Sequence, residues 1–328
     1  MTPARLAKDA PAEPRVRYIL IASNAYSGST LLSYLLGQHP EIATVSDVSG
    51  TRRTAHMEGF ACSCGLPMQA CPFWQEIERQ MRLRGYDDFA LDDFRLGFDA
   101  GRPRWVGQLR ARSLRWRAVE DLRDMAFMAT GSHRLFARIA RRNLAFAETV
   151  LEATGATVFV DASKERMRLR YLERYLDADL RVIHLVRDVR AVVDSTLRRG
   201  KLGLTMVEAA RRWGRTNEAI ARNLSVIPAN RQQLIRYEDL CTDVEGSLAT
   251  LFELCGVYPV TASVDLRADQ HLLGNRMRLG GWDEVRLDEG WRTRLTEREQ
   301  RQILEAAGPV VRRLYSGDAR QGAAAVNA

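Results

Sequence analysis

Lysine is almost missing from this chain. Among 49 basic residues in 328, only Lys8, Lys164 and Lys201 are lysines; the rest are arginines. Long apolar runs are missing too. A membrane-spanning helix needs ~20 apolar residues, whereas runs such as residues 18–22 are short. The first fourteen residues, MTPARLAKDAPAEP, hold Lys8, Asp9 and three prolines where an export signal has an apolar stretch. A cytoplasmic location is therefore expected. Five cysteines are too few for a disulfide scaffold at this length. No internal repeat is visible.

What is present bounds the class. Charged residues make up 27% and are nearly balanced in sign, which excludes wholesale disorder. Hydrophobic residues make up 46%, enough for a sizeable core. The net charge of +8 suits a partner bearing phosphate or sulfate, or an anionic surface, without choosing among them. Residues 1–14 and 316–328 read as disordered, leaving one expected domain over 15–315.

Residues 16–22 (VRYILIA) read as a buried strand. A small polar stretch follows, then a helix over 29–38 marked by Leu31, Leu32, Leu35 and Leu36, stopped by His39 and Pro40. Residues 42–45 read as a second strand. Further strands are expected at 157–161, 181–186 and 233–237. Helices are expected at 134–154, 166–176, 190–199, 205–224, 243–255 and 297–315. Such alternation implies an α/β fold with a central parallel sheet flanked by helices. Ligands in such sheets bind at the carboxyl ends of the strands. Residues 50–130 differ in composition and read as a mainly helical insertion on the acceptor side.

The segment SNAYSGST runs from Ser23 to Thr30, between a strand and a helix. The backbone N–H groups of Ser27, Gly28, Ser29 and Thr30, with the helix dipole, favour an anion. It is not the GxxxxGK[ST] phosphate loop: Ser23 replaces the first glycine, and Ser29 stands where the lysine would be.

SGSTLLSYLLGQHPEI resembles the 5′-phosphosulfate loop of sulfotransferases that use 3′-phosphoadenosine 5′-phosphosulfate (PAPS). RVIHLVRDVRAVVDS, residues 181–195, resembles the 3′-phosphate motif of the same family. The resemblance implies a P-loop-like three-layer fold. It places Arg187 and Ser195 on the 3′-phosphate, where an arginine fork at a strand end can grip phosphate bidentately. A third family element, RYEDL at residues 236–240, adds Tyr237 to the nucleotide-binding set.

One position departs from the family. Where a lysine or arginine usually steadies the leaving phosphate, this chain has Tyr26, a neutral donor that cannot supply charge. It can donate a hydrogen bond to the nucleotide, or it can stack or pack. Lys164, just after the 157–161 strand, is the expected substitute, and the family often has a lysine there. Transfer to a hydroxyl also needs a base. A family glutamate after the second strand corresponds here to Asp47. Asp161, Glu165, His184 and His271 are rivals, although His184, inside an apolar strand, reads as a core histidine.

Three features stand outside these motifs. Cys62, Cys64 and Cys71 can bind a metal such as zinc, with His56 as a fourth ligand, can form a redox pair, or can simply pack. Residues 102–117 form a basic amphipathic pattern that can lie on a membrane, cover an anionic acceptor or dock on its own domain. It does not resemble a nucleic-acid module. Arg276 and Arg278 sit in a Gly-rich segment of the kind that family members bring over the 3′-phosphate.

The expected activity is sulfuryl transfer from PAPS to a hydroxyl of a small molecule, glycan or lipid, with adenosine 3′,5′-bisphosphate (PAP) as product and no metal required. Two other readings stand: a nucleotide-binding protein with weak or no activity, and a P-loop-like kinase, against which the missing loop lysine argues.

Overall fold

A computed structural model describes residues 15–48, 60–98, 117–129, 132–165, 167–200, 203–260, 270–274, 279 and 284–315. Its centre is a five-stranded, all-parallel sheet. The strands are β1 (Arg17–Ser23), β2 (Ile42–Ser46), β3 (Val158–Asp161), β4 (Asp179–Val186) and β5 (Gln232–Arg236), in the spatial order β2-β3-β1-β4-β5.

The central strands are apolar on both faces, as helices on both sides demand. In β1, Tyr18, Leu20 and Ala22 enter one core cluster, while Ile19 and Ile21 enter another. The two-residue period recurs in β4, where Leu180 and Val182 face one way and Ile183 and Leu185 the other. The second face is covered by α1 (Ser29–Leu36) and by a later helix, Val244–Cys255. The first face meets the long helix Ser132–Thr154 and residues 62–98.

Between β2 and β3, α2 spans Pro72–Leu83 and α3 spans Arg117–Ala129. The long helix Ser132–Thr154 is α4. The acidic and aromatic stretch between α2 and α3 is not helical over 84–98. It is an irregular strap whose Phe89, Phe94 and Phe98 are buried. Phe89 and Phe94 stack on each other and meet Phe146 of α4, and Phe98 meets Phe136. The expected basic amphipathic helix lies outside the described residues except for Arg117.

Helices α5 (Arg168–Tyr175), α6 (Val189–Arg199) and α7 (Met206–Leu224) follow in chain order. Next come α8 (Tyr237–Thr242), α9 (Val244–Cys255) and α10 (Trp291–Arg294). Two boundaries depart from expectation. Tyr237 opens α8 instead of ending β5. The expected helix over 297–315 is two helices, α11 (Glu297–Ala307) and α12 (Val310–Tyr315). Gly308 ends α11 with φ +81°, and Pro309 has no N–H with which to continue the ladder.

His184 of β4 is a core residue. Its Nε2 lies 3.0 Å from Asn217 Oδ1 of α7, and burial pushes its pKa down to about 4. Protonation therefore costs more in the folded chain than in the unfolded one. Stability linked to this ring is fully present above the ordinary value of 6.5 and is lost as pH falls toward 4, by about 3 kcal/mol. The stability gap between wild type and His184→Gln should narrow over that window in urea titrations. A gap independent of pH would contradict the neutral, buried ring.

Candidate active site

Strand order decides what meets at the carboxyl edge of the sheet. Asp47 follows β2, Lys164 follows β3, residues 24–28 follow β1, Arg187 follows β4 and Tyr237 follows β5. Neighbouring strands lie ~4.8 Å apart, so these residues form one succession along a single edge. The structure brings the sequence-predicted groups together in that order.

At the middle of the edge, α1 begins with no side-chain cap and no acidic residue in its first turn. The positive end of its dipole thus has no local anion of its own. Ser27, Ser29 and Thr30 are buried, and Ser27 Oγ has no hydrogen-bond partner among the described residues. Gly28 adopts φ +90°, and a Cβ there would meet the Tyr237 ring at 2.4 Å. The glycine is required both by backbone and by space. Tyr237 is therefore a wall against the loop, with its hydroxyl donating to the Arg286 carbonyl at 3.3 Å.

Arg187 is buried beside that wall, its guanidinium 4.3 Å from the Tyr237 ring centroid. It donates to the Tyr26 carbonyl at 3.2 Å and pairs with the Asp288 carboxylate at 3.0 Å. Its Nε has no partner among the described residues. Partial burial alone would raise the Asp288 pKa, but hydrogen bonding from Arg187 prevails and holds it below the usual value. The nearer acidic residues are taken: Asp188 pairs with Arg190 and Asp194 with Arg294 and Arg198. Ser195 is buried on α6, eight residues beyond Arg187.

Tyr26 has φ +65°, unusual for a residue with a Cβ. The Arg199 guanidinium, from the last turn of α6, lies 5.5 Å from its ring centroid. A cation thus stands beside the residue that lacks one. No local motif marks Arg199; only its position just before the helix-ending Gly200 could have flagged it.

On the other side, Lys164 Nζ lies 3.3 Å from Asp47 Oδ2. Several backbone devices hold this pair. A bulge between Thr44 and Ser46 breaks the β2–β3 register, and Ser46 takes φ +63°. Bulges re-aim the side chains beyond them, here Asp47. Ala162 N donates to the Ser46 carbonyl at 3.0 Å, and Val48 N donates to Ser163 Oγ at 3.1 Å. Ser163 N donates to Asp161 Oδ1 at 2.8 Å. Asp161 is fully buried and receives Arg168 Nε at 2.6 Å and the Tyr18 hydroxyl at 2.7 Å. A relay of polar contacts therefore runs from Arg168 through Asp161 and Ser163 to the backbone N–H of Val48, next to Asp47.

This relay sorts the candidate bases. Asp161 is engaged in the core, and Glu165 lies 3.7 Å from Arg168. His184 is the core residue described above. His271 is drawn into the cysteines: its Nδ1 lies 3.4 Å from Cys62 Sγ and from Cys71 Sγ. It stands where His56 was expected. His56, Arg276 and Arg278 lie outside the described residues.

Comparison with known proteins gives one family match. The model of a family described as "Sulfotransferase family" matches residues 68–260. The comparison with curated proteins finds no match. Among solved structures, the chain is similar to the sulfotransferase domain from the curacin biosynthetic pathway, with 18% identity and a TM-score of 0.48 over 89% of this chain and 97% of that one. A sulfotransferase from Mycobacterium avium gives 14% identity and 0.47 over 90% and 76%. Retinol dehydratase in complex with androsterone and the inactive cofactor PAP gives 13% and 0.38 over 92% and 81%.

Proposed function

Since the chain belongs to the sulfotransferase family, we propose that it moves the sulfuryl group of PAPS to a hydroxyl of an acceptor. The observation that carries this reading is the Lys164–Asp47 pair beside an uncapped helix start. In an in-line transfer, the attacking and leaving oxygens stand on opposite sides of one sulfur. The group that takes the proton and the cation that meets the leaving oxygen must then flank the transferred group, so the 3.3 Å pair would part to admit it between them.

In this reading the N–H groups of residues 27–30 hold the 5′-phosphosulfate, and Ser27 Oγ gains its missing partner. Arg187 and Ser195 hold the 3′-phosphate, with Tyr237 as the wall behind them. Arg276 and Arg278 complete the nucleotide-binding set. Asp47 takes the acceptor proton as the new S–O bond forms. Lys164 meets the charge left on the phosphate oxygen as the old S–O bond breaks, leaving PAP. Tyr26 contributes its carbonyl to Arg187 and its ring to Arg199. The acceptor is bounded by the insertion, and the protein acts in the cytoplasm.

The fit of the nucleotide is tested by calorimetry. PAP should bind more tightly than ADP or ATP, and Arg187→Ala should weaken it roughly 10- to 100-fold, the loss of one charge-assisted contact. Asp288→Asn removes the competing carboxylate and should tighten it. Equal affinity for PAP and ADP, or an Arg187→Ala protein that binds like wild type, would rule the reading out.

A further inference from the structure

Cys62, Cys64, Cys71 and His271 have no role in the proposed transfer, yet they converge. Their donor atoms all lie within 4.8 Å of one another. Cys64 Sγ is 3.7 Å from Cys71 Sγ, and His271 Nδ1 is 3.4 Å from the sulfurs of Cys62 and Cys71. We propose that these four side chains bind one zinc ion in a tetrahedral, structural site.

The distances discriminate among the readings. Tetrahedral zinc, with Zn–S near ~2.3 Å and Zn–N near ~2.0 Å, requires S···S edges of about 3.8 Å and S···N edges of about 3.5 Å. The Cys64–Cys71 separation of 3.7 Å matches the first, the two His271–cysteine separations of 3.4 Å match the second, and the whole set lies within 4.8 Å. A disulfide would require ~2.05 Å, and all five cysteines of the chain are unpaired. Four protein donors fill the coordination sphere and leave no position open for substrate, which marks the site as structural.

The surroundings are built for convergence. Cys62 N donates to the Leu66 carbonyl at 2.8 Å and Gly65 N to the Cys62 carbonyl at 3.0 Å, closing a tight knuckle in which Gly65 has φ +88°. This turn lets Cys62 and Cys64 face Cys71, which directly precedes α2. The His271 ring stacks on Phe73, with centroids 4.4 Å apart and planes 5° from parallel, so its orientation is fixed. Ser63 Oγ receives Leu272 N at 2.6 Å and also bonds the Gln270 carbonyl.

The ion would join two segments some two hundred residues apart. One is the insertion; the other is the segment 270–274, whose Leu273 N donates to the Val45 carbonyl at 2.9 Å. That contact lies at the bulge that aims Asp47. Zinc would hold a wall of the active site in place without touching the reaction.

Zinc content of the purified full-length chain tests this directly, by elemental mass spectrometry without added chelator. One zinc per chain is expected, released in step with titration of the thiols by an organomercurial. Cobalt(II) exchanged into the protein should show the intense visible bands of a tetrahedral thiolate site. Cys64→Ser with Cys71→Ser should abolish the bound zinc, and His271→Cys should retain it. The proposal is overturned if the wild-type chain neither carries zinc nor takes up cobalt, or if cobalt binds with an octahedral spectrum. Full zinc retention in the double variant overturns it equally. A Cys64–Cys71 disulfide found by peptide mapping of the wild type would replace it with a redox pair. None of these readouts depends on sulfuryl transfer.

Discussion

Asp47→Asn is expected to slow sulfuryl transfer roughly 100- to 10,000-fold, the span typical for loss of a positioned general base. The amide keeps the size of the carboxylate and loses its basicity, so PAP affinity should stay close to wild type. Asp47→Glu, which restores a carboxylate, should recover a large part of the rate. Lys164→Met should also be slow, by roughly 100- to 1,000-fold, as when a single group facing developing charge is removed. The rates are measured with labelled PAPS and a hydroxyl acceptor found by screening. Asp47→Asn protein that keeps a tenth of the wild-type rate would take Asp47 out of the chemistry. Because the two side chains pair at 3.3 Å, their effects should not add: each single change already breaks a shared arrangement.

The second large effect concerns folding. Arg168 and Asp161 form a buried ion pair with side chains 1% and 0% exposed. Arg168 also donates to the Leu96 carbonyl at 3.0 Å, the Tyr18 hydroxyl at 3.3 Å and the Asn143 side chain. Burial and the Asp161 carboxylate hold the Tyr18 pKa well above its usual value, so its hydroxyl remains a proton donor to Asp161. Arg168→Met would leave a carboxylate in the core without its cation. Breaking such a pair costs roughly 3–5 kcal/mol, a large share of the ~5–15 kcal/mol that holds a domain folded. Urea unfolding should show this loss. Adding Asp161→Asn to Arg168→Met should recover part of it, because the stranded charge is gone. A double variant less stable than Arg168→Met alone would mean that Asp161 does more than balance Arg168.

The stability and activity predictions meet in one place. Asp161 anchors Ser163, and Ser163 anchors Val48. Loss of Arg168 should therefore disturb the Lys164–Asp47 pair as well as the core.

Much of the fold is legible in the residues. Strands such as 17–23 and 179–186 are apolar on both faces, and only a sheet sandwiched between helices calls for that. The loop at 23–30 and Arg187 are legible for a related reason: each sits where a strand hands over to a helix, and that junction is written in local order. Boundaries are harder. Tyr237 has strand propensity, yet its ring is needed against Gly28, and tertiary packing turns it into the first residue of α8.

The partners that arrive from far along the chain are not legible. Asp288 reaches Arg187 across about a hundred positions, and nearer carboxylates at 188 and 194 compete for attention in the sequence. Their own arginines claim them in the structure. His271 is hidden in the same way. Sequence distance favours His56 as the companion of the cysteines, whereas the parallel contact of Leu273 with Ser46 delivers His271. No periodicity records such a contact.

The Asp288 carboxylate on Arg187 changes what nucleotide affinity would measure. A bare arginine would capture an anion, and capture strengthens steeply as salt is diluted. Here the Asp288 carboxylate would have to part from Arg187 before a phosphate arrives, so the attraction gained would be reduced by the pair that is broken. Recognition at this end of the edge would be a displacement, with a shallower salt dependence than capture by a bare arginine. At this end of the edge, Arg187 would then add less to the hold on the nucleotide than its charge alone suggests.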